Sequence, residues 1–424
     1  MNFFKRCKNG ILHIEEISLN TIAKLIGTPC YVYSKNAIIN QFIIYQQALK
    51  NYPHIICYAI KTNSNLAILN MLSKLGSGFD IVSGGELERV LMAGCDPSKI
   101  VFSGVAKRAD EIIQALNVNI KCFNVESCSE LQRINNIAKS IGKTAKISIR
   151  VNPNIDPKTH PYISTGLKDN KFGIPIKQAP LIYAYAKTLN FIKIIGINCH
   201  IGSQITNFSP ILNTIDHLIE LISILKNKQN IKIQHINLGG GLGVDYFNLY
   251  PPPIKLYIKK ILNKLNNKET VNIPLIIEPG RSIAADAGIL LTRIEYIKIN
   301  EKKKFAIIDA GMNDIIRPSL YNAWQNIDQV DIRIHNDKGF IRKKAYYDIV
   351  GPICESSDFV GKSRLLSITE GDYLAIRSAG AYGFVMASNY NTRIRPSEIM
   401  VEENEIYLIR KKELLKKLLY YEQF

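Results

Sequence analysis

The chain has 424 residues, 46% of them hydrophobic and 21% charged, with a formal net charge of +18. That length points to two domains with enough apolar residues for a sizeable core, and it excludes the disordered and fibrous classes. The basic balance raises nucleic acid or an acidic membrane as partners. However, the lysines are scattered and the tightest clusters, Glu301-Lys302-Lys303-Lys304 and Arg410-Lys411-Lys412, lie in turn- or tail-like segments. No basic stripe interleaves with aromatics, so neither nucleic acid nor membrane is expected.

The N-terminal Met-Asn-Phe-Phe-Lys-Arg-Cys has no long apolar core of a signal peptide. No run of about 18 apolar residues predicts a membrane helix. The cysteines at 7, 30, 57, 95, 122, 128, 199 and 354 form no C-x-x-C pair, so no metal is expected. Scattered thiols in a large chain fit a reducing, cytoplasmic location.

In chain order, residues 1–35 carry two short strand-like pieces, 10–14 and 30–33, able to pair with a later domain. From about 36 to 283, apolar runs alternate with segments of helical period. Strands are predicted at 55–60, 79–83, 100–103, 120–125, 146–151, 194–200, 231–238 and 273–278. Helical segments lie between them, for example 64–75, 84–94, 127–141, 176–189 and 209–227. Short runs separated by helices predict a parallel sheet, and eight such units match a (β/α)8 barrel of the TIM type. An open doubly wound sheet is the alternative; it would favour a G-x-G-x-x-G after the first strand, and none occurs there. After about 284, strand-like runs dominate: 288–299, 304–309, 331–335, 346–350, 372–377 and 404–409. The organisation predicted is a barrel over 36–283 and a mostly-β domain from 1–35 and 284–424.

Functional residues of such a barrel cluster at the C-terminal ends of its strands. The polar and glycine-rich words of this chain fall there: Y-A-I-K-T-N at 58–63, D-I-V-S-G-G-E-L at 80–87, N-V-E-S at 124–127, R-V-N-P at 150–153, H-I-G-S-Q at 200–204, L-G-G-G-L-G at 238–243 and E-P-G-R-S at 278–282. Lys61 is either one more surface lysine or an amine that loses water and becomes nucleophilic. Gly239, Gly240 and Gly241 make a tight turn or a cradle whose amides converge on a phosphate, with Gly280 and Arg281 adding donors and a cation nearby. Glu278 is a salt-bridge partner or a carboxylate facing the nitrogen of a cofactor ring. His200 is a satisfied core histidine or an imidazole stacked on that ring, with Ser203 near the phosphate.

Together these words resemble those of the fold-type III, alanine-racemase-like barrel decarboxylases that use pyridoxal 5'-phosphate. Three C-terminal words narrow the resemblance to the branch acting on meso-2,6-diaminopimelate: Arg317-Pro-Ser-Leu-Tyr321, Gly351-Pro-Ile-Cys354-Glu355-Ser-Ser-Asp358, and Ala381-Tyr382-Gly383 followed by Asn389-Tyr390-Asn391. The resemblance runs through nearly the whole chain. It implies that Lys61 is the Schiff-base lysine, that His200 stacks on the ring, and that Gly239, Gly240, Gly241 and Ser203 hold phosphate. It also implies that Glu278, Pro279, Gly280 and Arg281 bind ring nitrogen and phosphate, with Tyr382 beside the cofactor. Cys354 is then the proton donor to Cα. Cys354 and Glu355 reach the partner subunit's site, so a homodimer is implied, with the β domain completing the active site. One departure is Asn198, where many relatives carry a histidine before Cys199-His200.

The substrate's far end separates relatives. Ornithine, arginine and lysine lack the carboxylate that diaminopimelate carries beside its far ammonium, and a buried charge without a partner is costly. Arg281 and Arg317 suit that carboxylate and Glu355 the ammonium, with Tyr321 and Tyr382 as hydrogen-bonding walls. The implied reaction is decarboxylation of meso-2,6-diaminopimelate to L-lysine and CO2, the last step of lysine biosynthesis. The alternatives are a decarboxylase of ornithine, arginine or lysine, a racemase of the same fold, which would favour a cation where Glu278 stands, and a non-catalytic homologue, which would be expected to lose Lys61 or Cys354.

Overall fold

A computed structural model of the chain describes residues 3–157, 165–167, 169–301, 303–333, 339 and 341–423. The chain divides into two compact units: Gln41–Val244 with Tyr250–Ser282, and Met1–Asn40 with Asp245–Leu249 and Ile283–Phe424.

Among the described residues the barrel of the first unit is built from eight strands: β1 (His54–Ala59), β2 (Gly78–Ile81), β3 (Ile100–Phe102), β4 (Cys122–Val125), β5 (Ala145–Asn152), β6 (Ile192–Asn198), β7 (His235–Asn237) and β8 (Leu275–Ile277). Each pairs in parallel with the next, and β8 pairs with β1, so the sheet closes on itself. Helices Leu66–Lys74, Gly84–Met92, Ala109–Asn117, Cys128–Ser140, Ala179–Thr188, Ser209–Gln229 and Ile254–Leu265 follow β1 to β7 in turn. This is the (β/α)8 architecture expected from the alternation. A two-residue strand, Ile174–Pro175, adds to the end of β5 at Val151–Asn152 and had no counterpart in the sequence pattern.

The strands read as largely apolar runs because both faces are covered. Phe79, Ile81, Phe102, Phe123, Ile147, Ile149, Ile236 and Ile276 are all buried. Within these runs a few polar residues are also buried: Asp80, Asn124, Ser148, Asn198 and Asn237. A buried polar side chain needs a partner, which makes these positions informative about the barrel's mouth.

Two strand ends repeat one device. After β2, Ser83 Oγ accepts from Glu86 N (3.2 Å), and Glu86 Oε2 accepts from Val82 N (2.7 Å). After β4, Ser127 Oγ accepts from Glu130 N (3.1 Å), and Glu130 Oε2 accepts from Glu126 N (2.7 Å). The serine caps the helix start and the glutamate ties the preceding turn, so each loop is short and rigid.

In the second unit the strand Cys30–Ser34 lies between Gly288–Asn300, antiparallel to it, and Ser397–Glu402, parallel to it. The sheet continues through Lys303–Ile308, Lys344–Val350 and Phe359–Ser367 on one side and Glu405–Arg410 on the other. Its core includes Leu12, Ile14, Val32, Ile289, Leu291, Val330, Ile399 and Val401. Residues 334 and 335 of the strand expected at 331–335 lie outside the described residues; Asp331 makes an isolated bridge to Ile11, and the nearby strand is Ile327–Gln329. Phe359–Ser367 went unrecognised because Lys362 and Arg364 break its apolar run. Arg364 is nonetheless buried, its guanidinium lying over the Trp324 ring and donating to Gln325 O (3.0 Å).

Candidate active site

Lys61 sits in a single 3-10 turn, Ile60–Thr62, directly after β1. Its Nζ donates to Asp80 Oδ2 (2.6 Å) at the end of β2. The Asp80 side chain is fully buried, the Lys61 side chain 36% exposed, and Asp80 Oδ1 has no hydrogen-bond partner among the described residues. The amine is therefore held by a desolvated carboxylate on a side chain that is about a third exposed.

Glu278 follows β8 and is buried. Its Oε1 accepts from Asn237 Nδ2 (2.7 Å) on β7. Burial, and behind it the charge of Asp80, pushes its pKa up to about 8 against the pull of Lys61, Asn237 and Arg150. Asn237 uses both ends of its amide, since its Oδ1 accepts from Gly239 N (2.9 Å), which fixes the amide with its NH2 toward the carboxylate.

The loops after β6, β7 and β8 meet here. Gly240 N donates to His200 Nδ1 (3.3 Å), and Arg281 donates to Ser203 Oγ from Nη2 (3.0 Å) and Nε (3.3 Å). A Cβ on Gly240 would lie 2.2 Å from the carbonyl oxygen of Glu278, and one on Gly280 would lie 2.0 Å from Thr62 Oγ1, so both strand ends admit only glycine. Burial lowers the His200 pKa well below its usual value, and the Arg150 and Lys61 charges add to this. The ring is neutral, and with Nδ1 accepting a hydrogen bond the proton lies on Nε2.

A second tier surrounds this cluster. Arg150 Nη1 donates to Glu126 Oε1 (2.7 Å), and Lys107 Nζ donates to Glu130 Oε1 (2.7 Å), both pairs buried. Asp80, Glu126 and Arg150 stand in strand-end words of the sequence without a task of their own there, and Asn237 stands in none. Their one signal was a polar residue inside or at the end of an apolar strand.

Barrel-mouth residues expected from the sequence are thus brought together: Lys61, His200, Ser203, Gly239, Gly240, Gly241, Glu278, Pro279, Gly280 and Arg281. The others lie in the β-rich unit. Arg317 is buried, its guanidinium 4.2 Å from the centre of the Tyr246 ring, at the start of the short helix Arg317–Tyr321. Cys354 and Glu355 are exposed neighbours on the loop between Lys344–Val350 and Phe359–Ser367. Glu355 Oε1 accepts from Tyr390 OH (2.5 Å) and Oε2 from Ser357 Oγ (3.0 Å). These bonds hold the Glu355 pKa below the usual carboxylate value. Tyr382 has a left-handed backbone, φ 56°.

An amine at a strand end, a buried carboxylate, a neutral imidazole and a glycine-lined turn with an arginine are the parts of a site for a flat, phosphorylated aldehyde cofactor. The family model "Pyridoxal-dependent decarboxylase, pyridoxal binding domain" matches residues 35–285. The chain belongs to the pyridoxal-dependent decarboxylases. It is 52% identical to the diaminopimelate decarboxylase of Haemophilus influenzae over 418 residues, 99% of this chain and 98% of that protein. Among solved structures it resembles diaminopimelate decarboxylase from Helicobacter pylori complexed with L-lysine, with TM-score 0.89 and 44% identity over 95% of this chain and 98% of the other. The enzyme from M. jannaschii in co-complex with L-lysine gives TM-score 0.93 and 39% identity over 100% and 98%.

The residues present fit pyridoxal 5'-phosphate. Glu278 is a carboxylate whose pKa is raised by burial and by the Asp80 charge, so a protonated ring nitrogen placed against it would favour its ionised form. Arg281 with Ser203 and the Gly240 turn offers the charge and small volume that a phosphate requires. Among the described residues no group of histidine, cysteine and acidic side chains could hold a metal ion, and no helix is long and apolar enough to cross a membrane.

Proposed function

We propose that the chain decarboxylates meso-2,6-diaminopimelate to L-lysine and CO2, using pyridoxal 5'-phosphate at the barrel mouth. The observation that carries this reading is the pairing of Lys61 with Asp80 beside the buried Glu278, in a chain about half identical, end to end, to enzymes of that name. When bound, the cofactor supplies an electron sink for the pair of electrons left at Cα as the carboxylate departs.

The chain's own residues do the rest. Lys61 supplies the amine that holds the cofactor, and Asp80 aims that amine. Glu278 stabilises a protonated ring nitrogen, because an anion opposite a cation favours the charged form. His200, neutral and tethered through Nδ1, offers a flat uncharged face. Gly239, Gly240, Gly241, Ser203, Pro279, Gly280 and Arg281 enclose the phosphate.

Arg281 and Arg317 take the far carboxylate of the substrate and Glu355 its far ammonium, with Tyr321 and Tyr382 as hydrogen-bonding walls. The Cys354 thiol delivers a proton to Cα. Cys354 and Glu355 serve the site of a partner subunit in a homodimer; their exposure in the chain supports that assignment. The eight free cysteines support a cytoplasmic location.

The test is product identity. The loaded enzyme should release one CO2 for each L-lysine formed from meso-diaminopimelate. CO2 release without L-lysine contradicts the reading.

A further inference from the structure

The Asn389-Tyr390-Asn391 word has no assigned task in the reaction, yet the backbone there is costly. Asn391 (φ 54°) and Thr392 (φ 56°) both lie in the left-handed region, where a β-branched threonine is an outlier. The turn is bolted in place. Asn389 Nδ2 donates to Arg393 O (3.0 Å) and Glu413 Oε2 (2.8 Å). Arg393 Nη2 donates to Asp309 O (2.9 Å), and Ser388 N donates to Asn313 O (2.9 Å).

This turn delivers Tyr390 OH to Glu355 Oε1, while Ser357 Oγ takes Oε2. The Glu355 loop is itself rigid: Asp358 Oδ2 accepts from Ile353 N (2.7 Å) and its Oδ1 from Met312 N (2.7 Å). Two neutral donors fix the plane of the carboxylate and leave free lone pairs for a cation. Tyr390 is 46% exposed, so its bond to Glu355 adds little to the fold. Backbone strain that does not serve packing gathers where a group must be aimed.

We propose that Tyr390 is a positioning residue: by orienting the Glu355 carboxylate it sets the affinity for the substrate's far ammonium group. This rests on the role given to Glu355 above. Tyr390→Phe deletes the hydroxyl and keeps the ring.

The experiment compares wild type, Tyr390→Phe, Glu355→Gln and the double variant as holoenzymes. It measures KM and kcat for meso-diaminopimelate, and inhibition by L-lysine, which keeps the far ammonium, and by pimelate, which has no amine. Tyr390→Phe is expected to raise KM and the L-lysine inhibition constant about tenfold. It should change kcat less than about twofold and leave pimelate inhibition unchanged. In the Glu355→Gln background, removing the hydroxyl should add nothing. Equal weakening of pimelate and L-lysine, an undiminished effect in the Glu355→Gln background, or an unchanged KM would overturn the proposal. Wild type failing on diaminopimelate, or Glu355→Gln leaving KM unaltered, would overturn the assigned function first and this role with it.

Discussion

Lys61 Nζ donates to Asp80 Oδ2 at 2.6 Å, and that carboxylate is fully buried, its other oxygen without a hydrogen-bond partner among the described residues. Removing the amine strands a buried charge, which is the costly way to break such a pair. In the cofactor-free protein, Lys61→Ala should lower the unfolding free energy by about 2–3 kcal/mol, at or below the usual range because Lys61 is partly exposed. The double variant Lys61→Ala/Asp80→Asn should recover most of that loss in urea unfolding. Simple addition of two losses would show that the pair is not coupled.

Stability of the cofactor-free protein should depend on pH through its buried carboxyls. Glu278 is pushed up to about 8, and Glu86 and Asp314 to about 7, in each case chiefly by burial. These three carboxyls then hold more protons in the folded state than in the unfolded one between about pH 4.5 and 8, opposed only below about pH 6.5 by His200 and His235, which burial keeps neutral. Stability from these groups is fully present below the ordinary carboxyl range and is lost as pH rises through the raised values. Urea midpoints should fall from pH 5 to pH 8. Glu278→Gln should flatten that slope and be more stable than the parent at pH 8, by roughly 1–3 kcal/mol. An unchanged slope would mean that Glu278 is solvated.

Gly240→Ala places a Cβ 2.2 Å from the Glu278 carbonyl oxygen, a backbone atom with nowhere to go. The β7 and β8 ends must separate, and cofactor affinity of the apoenzyme should fall by at least about 100-fold, read by equilibrium dialysis. Gly85→Ala is the control. Its nearest neighbour would be Ser83 Oγ at 3.9 Å, and it lies in the helix Gly84–Met92. It should bind cofactor normally and gain about 0.5–1 kcal/mol in stability.

The barrel was legible because a closed parallel sheet turns each strand into an apolar run and puts each polar word at the same end. Lys61, His200, Gly240, Glu278 and Arg281 announced themselves that way. Which partners they meet was not legible. Asn237 meets Glu278 because β7 neighbours β8, and Asp80 meets Lys61 because β1 neighbours β2; such pairings depend on register, which spacing along the chain does not contain. Strands of the second unit were harder still. Ser397–Glu402 carries buried Glu398, satisfied by Tyr33 OH (2.7 Å), and nothing local foretells that a glutamate so placed is buried.

If Cys354 and Glu355 serve a partner's site, two inactive variants can rescue each other. Lys61→Ala and Cys354→Ala homodimers each lack one part of both sites, whereas a mixed dimer has one complete site. Mixing equal amounts under conditions that exchange subunits should restore about a quarter of wild-type activity. No restoration, with exchange verified by native mass spectrometry, would place all parts of a site in one chain.

The most direct measurement is kcat/KM for CO2 release from meso-diaminopimelate, L-ornithine, L-lysine and L-arginine by the same loaded enzyme. In a site with partners for a whole amino-acid group, the simpler substrates still bring a far cation but no far carboxylate, and so leave the arginines unpaired. Diaminopimelate should therefore lead by about 100-fold or more. Equal or better turnover of ornithine, lysine or arginine would contradict the assignment while leaving the barrel and its cofactor site in place.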